Sequence, residues 1–253
     1  RITFKERFSF FWDKLFYSII LALILFIFLN IWKAIYAGRP IIEGFSIAQM
    51  IWYLAIAESI MFATGTDRIE QIGEEIRSGS LSNALLKPWS YIGREFSILF
   101  AGFTYVILTT GVIGMIVAYL FVGPIQFSFW NIPLIVVTLL LAALLNFILV
   151  VAFGMLGLWM EDSASIYWLY QKALFIIGGM LLPLEFYPAW LQQLSFALPI
   201  SYIIYFPAKL FVHFNMGLFL STIAMQIIWI VVCFSILLII YYRGIRRVSI
   251  NGG

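Results

Sequence analysis

Few side chains in this sequence could do chemistry, and where they stand narrows what that chemistry is. Glu58 sits inside the apolar run IWYLAIAESIMFA, where an ionisable group is costly and often functional. It could line a transport path or a dimer seam, carry a proton, or be held neutral or paired by a neighbouring helix. Glu74 and Glu75 form an adjacent acidic pair in the longest polar stretch, where they can meet cations. Asn30, Asn146 and Gln171 lie in apolar runs and suit hydrogen bonds between helices, with positions along a translocation path as the alternative. Glu161 and Asp162 read as a tight polar turn, and Lys172 can reach toward them by snorkelling. Catalysis is nearly excluded by inventory. His213 is the only histidine, so no histidine-based metal cluster can form, and no serine, histidine and acid set is visible. The phosphate-cradling loop ending in Gly-Lys-Ser or Gly-Lys-Thr is missing, and the lone Cys233 allows no intrachain disulfide.

The elements that must position these residues are transmembrane helices. An apolar fraction of 64%, a charged fraction of 11% and a mean hydropathy of +1.04 exclude a soluble domain. The 253 residues hold about six spans of roughly 20 residues each and little else. The expected class is an all-α integral membrane protein forming one domain, 1–253. Its first segment, RITFKERFSFFWDK, mixes aromatic and charged residues as an interfacial helix over 1–14 would. Spans are expected at 15–37, 45–66, 96–122, 132–160, 163–182 and 216–242. The first is too long for the apolar core of a signal peptide. Between the fifth and sixth, residues 183–214 are apolar but broken by Pro183, Pro188, Pro199 and Pro207, too closely spaced for any piece to cross about 30 Å of hydrocarbon. Short surface or re-entrant helices are predicted there, with Phe186, Tyr187, Trp190, Tyr202 and Tyr205 as an interfacial belt. Gly111 with Gly114, and Gly154 with Gly157, could permit close helix contact.

Orientation follows from the basic residues. Arg1, Lys5, Arg7, Lys14, Arg68, Arg77, Lys87, Arg94, Arg243, Arg246 and Arg247 fall on one side, against Lys33, Arg39 and Lys209 on the other. The first side, with both termini, is expected in the cytoplasm. Basic residues serving this purpose explain the net charge of +3 without any nucleic acid.

The polar stretch 67–95 is the most informative. Asp67 and Glu70 match a capping box, Ile69, Ile72 and Ile76 recur at helical spacing, and Gly79 offers a stop. Ser80 can cap a second short helix carrying Leu81, Ala84 and Leu85, which must end before Pro88. A cytoplasmic helical hairpin results, and its apolar stripe suits either docking to a partner or lying on lipid headgroups.

The string EEIRSGSLSNALLKP resembles the coupling segment of type-2 ABC exporter permeases, and GGMLLPLEFYPAWLQQLSFALPISYIIYFPAKLF resembles the extracellular re-entrant helices of the same family. The resemblance covers nearly the whole chain and implies a permease that is not itself an enzyme. It would pair with a second copy or a related permease in the inner or plasma membrane, amid membrane lipid. A cytoplasmic ABC ATPase dimer would bind ATP and Mg, leaving this chain without a cofactor. By carry-over, Glu74, Glu75, Ile76, Arg77, Gly79, Leu81 and Leu85 would meet the ATPase, the acids pairing with its cations and the apolar residues filling a groove. Export of an amphiphilic, drug-like, lipid or glycan substrate is the leading expectation. The alternative is an autonomous secondary transporter coupling protons through Glu58.

Overall fold

Lipid offers no partner for backbone N–H and C=O groups, so apolar runs of this length satisfy them internally as helices. The computed structural model describes residues 4–160 and 162–251, with side chains for 19–160 and 162–246. Among the described residues, five helical runs are long and apolar enough to cross a membrane: Ile19–Tyr36, Ile47–Arg77, Tyr91–Val122, Phe129–Leu158 and Met216–Arg246. Their helices are α1 (Phe4–Tyr36), α2 (Ile47–Ala63), α3 (Arg68–Arg77), the short α4 (Ser80–Leu85), α5 (Tyr91–Val106), α6 (Val112–Val122) and α7 (Ile132–Met155). After these come α8 (Ser163–Ile176), α9 (Ala189–Phe196), α10 (Tyr205–Val212) and α11 (Met216–Asn251).

The expected interfacial segment begins the same unbroken helix as the first span, from Phe4 onward. Its side chains, and residues 1–3, lie outside the described residues. A larger difference concerns the fifth expected span, 163–182. Its helix α8 has 14 residues and a length of about 21 Å, short of the hydrocarbon thickness. The chain leaves the helix at Gly178 and Gly179, where the Gly178 N–H reaches the Ala173 carbonyl at 3.0 Å. Side chains satisfy the carbonyls that this break frees. Tyr53 donates its hydroxyl to Gly179 O at 2.5 Å, and Tyr187 donates to Ile176 O at 2.9 Å.

The prolines of 183–214 act as expected. The segment folds as α9, α10 and two 3-10 turns, Leu184–Phe186 and Pro199–Tyr202. The aromatic belt is divided, however: Trp190 is exposed, whereas Tyr202 and Tyr205 are buried in the core. Tyr205 donates to Glu185 at 2.7 Å, and Lys209 pairs with the same carboxylate at 2.5 Å.

Helix α2 is the central element, with Met50, Ile51, Tyr53, Leu54, Ala55 and Ala57 buried against α1, α6 and α10. Its start is closed by a capping box of Ser46 and Gln49. The periphery is apolar too, with Leu23, Leu120, Leu169 and Val231 exposed, as lipid contact requires. Between α5 and α6 the third span carries a π-helical turn, Ile107–Gly111. Such turns concentrate at functional sites, and no residue pattern announced this one.

Candidate functional site

Helix α3 crosses the end of the bundle, and its apolar stripe is used internally. Ile69 and Ile72 are fully buried against α7 and α8, and Ile76 is half-buried. Gly73 permits this approach, because a Cβ there would overlap the Cβ and Oγ of Ser163 at the start of α8. The pair Gly154 and Gly157 serves the same contact. A Cβ at Gly154 would come within 2.9 Å of Ile72, and one at Gly157 within 3.2 Å of Ile76. These glycines therefore receive the hairpin rather than a neighbouring span.

The ends of α3 differ from the sequence reading. Asp67 already has helical dihedrals and makes no cap; its carboxylate accepts from Gln71 Nε2 at 2.8 Å. The signature Asp67–Glu70 thus lies one residue too far into the turn to cap it. Gly79, at φ +73°, supplies the left-handed residue that stops α3, as expected. Ser80 then stands inside α4 and turns its hydroxyl back to the Glu75 carbonyl at 3.2 Å, so it is not the cap.

The two adjacent acids have different environments. Glu75 Oε1 meets Arg68 Nη2 at 2.6 Å and Arg94 Nη2 at 2.8 Å, and Tyr91 donates to its Oε2 at 3.2 Å. Arg68 Nε also meets Glu95 Oε2 at 2.6 Å, with Glu95 fully buried. Two guanidinium groups and two carboxylates thus form a neutral cluster clamping α3 to the start of α5. Burial alone raises the Glu75 carboxyl; Arg68, by hydrogen bond and charge, and then Arg94 outweigh it and hold the group below its ordinary range. Glu75 is therefore an internal tie rather than a group presented to partner cations. Leu81 is buried as well and Leu85 half-buried, both packed within the chain. Left facing outward are Glu74 and Arg77, paired at 2.8 Å with 65% and 53% of their side chains exposed, and Gly79. The structure adds Leu86, 85% exposed, and Trp89, 54% exposed, with Lys87 Nζ 5.4 Å from the Trp89 ring. Two large apolar residues flanking Lys87-Pro88 were the available signal for them.

Behind the hairpin, a partly open cavity of about 860 Å³ extends between α1, α2, α5 and α8. Glu58, Thr110 of the π-helical turn and Gln171 line it. Glu58 is 2% exposed, and among the described residues no hydrogen bond or ion pair reaches its carboxylate. The family model described as ABC-2 family transporter protein matches residues 15–252. The chain belongs to this family. Comparison with curated proteins and with solved structures finds no match.

As an ABC-2 family member the chain is a multi-pass membrane transport component, a permease. Within this ABC-2 permease the remaining candidates separate. Asn146 is buried behind the cavity wall, donating to Thr64 O at 2.7 Å and accepting from Tyr170 at 2.8 Å, which joins α7 to α8 and the end of α2. Gln171 donates to the Tyr167 hydroxyl at 3.0 Å. Asn30 is exposed on α1 and donates to its own Phe26 carbonyl at 2.7 Å, so it does not join the cavity. Lys172 lies over the rings of Trp168 and Phe175, at 5.2 and 5.1 Å, rather than reaching Asp162; Glu161, its other expected partner, lies outside the described residues. Asp162 instead caps α8, accepting from the Ala164 and Ser165 N–H groups. Among the described residues no three His, Cys, Asp or Glu side chains gather to hold a metal ion.

Proposed function

We propose that this chain is the membrane half of an ATP-driven exporter. It pairs with a second copy or a related permease in the cell membrane, with both termini in the cytoplasm. Each half docks one subunit of a cytoplasmic ATPase dimer through the α3–α4 hairpin. ATP and Mg are bound by that partner, and an amphiphilic, drug-like, lipid or glycan substrate leaves the cytoplasm. The sixth crossing is α8 continued through residues 177–182.

The observation that carries this reading is the two-sided construction of the hairpin. One side leaves Glu74, Arg77, Leu86 and Trp89 open to a partner. The other is packed against α7 and α8 through Gly73, Ile72 and Ile76, and clamped to α5 through Arg68, Glu75, Arg94 and Glu95. A displacement imposed on the outer side reaches three membrane helices with little slack, because close-packed interiors transmit strain. The proton-coupled alternative rests on Glu58 alone and leaves this construction without a use.

Replacing Glu74 with lysine should lower substrate-stimulated ATP hydrolysis of the assembled complex several-fold, while the ATPase by itself keeps its basal rate. Unchanged stimulation would remove Glu74 from the contact. A cysteine at Arg77 should resist a membrane-impermeant thiol reagent applied to intact cells; labelling there would reverse the orientation.

A further inference from the structure

From the charge and shape of the cavity beside the hairpin, we infer that it binds an amphiphilic cation, an amine or onium group carried on an apolar body. This rests on the exporter reading and names the substrate class of that same cavity. Among the described residues, the charged ones lining the cavity are Glu58, Asp67 and Arg68. Arg68 is already bonded to Glu75 and Glu95, and Arg94 completes that cluster with two positive and two negative charges. The arginine therefore lends the cavity no net positive charge. Asp67 stands at the hairpin end, where its carboxylate accepts from the neutral Gln71 amide. Glu58 lies deeper, 2% exposed and without a partner among the described residues.

A carboxylate removed from water is costly unless an opposite charge accompanies it. Among the described residues none accompanies Glu58, so a cationic ligand can complete the pair. The walls fit the rest of such a ligand. Phe28, Phe62, Phe103, Tyr167 and Phe175 line the cavity from α1, α2, α5 and α8, and aromatic faces attract cations as well as apolar bodies. The volume of about 860 Å³ falls in the range of sites that enclose drug-sized molecules. An anionic amphiphile would face the desolvated Glu58 and the exposed carboxylate of Asp67. A neutral one would leave Glu58 with no counter-charge.

The test uses two ions of nearly equal size and opposite charge, tetraphenylphosphonium and tetraphenylborate, in equilibrium binding to the detergent-purified complex of full-length permease and ATPase. The phosphonium should bind and the borate compete poorly. Glu58→Gln should weaken phosphonium binding at least about tenfold, as loss of a desolvated charge partner does, and Glu58→Asp should retain part of it. Asp67→Asn should have a smaller effect. Equal binding of the two ions, or wild-type affinity in a Glu58→Gln complex that elutes as a single species, would overturn the assignment. Co-isolation of the ATPase is scored on the same preparations. If the ATPase binds and the phosphonium does not, the substrate class fails alone; if a lone permease binds phosphonium and no ATPase ever joins it, the exporter reading fails.

Discussion

At the residue scale, Glu74 and Glu75 show how neighbours of one chemical type acquire opposite roles. Adjacent helical positions point about 100° apart, so one acid faces outward while the other meets Arg68 and Arg94. The sequence presents them as an equivalent pair, because the direction of α3 relative to α5 and α8 depends on packing across the whole chain. Glu58 was legible for a simpler reason: a carboxylate within an apolar span stands out wherever its helix packs. The lowered pKa of Glu75 fixes the sign of a pH effect. The folded state holds its carboxylate ionised more firmly than the unfolded chain does, so the stabilisation is full above the unfolded value of about 4.3 and is lost as pH falls through the lower folded value. Thermal stability of the hairpin should therefore hold down to about pH 5 and decline below about pH 4, with Glu75→Gln flattening that decline. Glu95→Gln strikes the buried end of the cluster and leaves Arg68 underpaired. A loss on the order of 3 kcal/mol is expected, read from thermal or denaturant unfolding in detergent.

At the scale of elements, apolar runs and prolines gave reliable boundaries because both act locally. Pro183, Pro188 and Pro199 stand at the starts of short helical turns and Pro207 in the first turn of α10, positions where a missing N–H is tolerated. The capping box at Asp67 failed, and the helical part of the fifth expected span ends at Ile176, because both depend on distant atoms. Asp67 is drawn into the turn by the path from α2, and α8 stops where Tyr53 and Tyr187 supply its freed carbonyls with donors. The seat of α3 offers a clean test. Gly73→Ala places a methyl group on Ser163 and should destabilise the hairpin by about 1–3 kcal/mol, exposing the 78–90 region to limited proteolysis. Ser163→Gly should restore much of the loss in the double variant, since the two sites share one contact. Absence of any rescue would separate the proteolysis from this contact.

At the scale of the whole molecule, the hairpin is held to the bundle by two attachments of different character. The neutral charge cluster joins it to α5, and close apolar packing joins it to α7 and α8. Acid weakens the first and leaves the second. The composition already specified a bundle in lipid, whereas this division of labour appears only once the helices are assembled. One dimension of that assembly reaches beyond the chain. A helix of 14 residues stands among neighbours long enough to cross by themselves, and on the proposed reading the non-helical residues 177–182 complete its crossing. A crossing whose helical part falls short of the hydrocarbon favours thinner bilayers, at a fraction of a kcal/mol for each ångström of misfit. Reconstitution in lipids of increasing tail length should slow turnover progressively, and rates measured in hosts with membranes of different thickness are comparable only after that variable is matched.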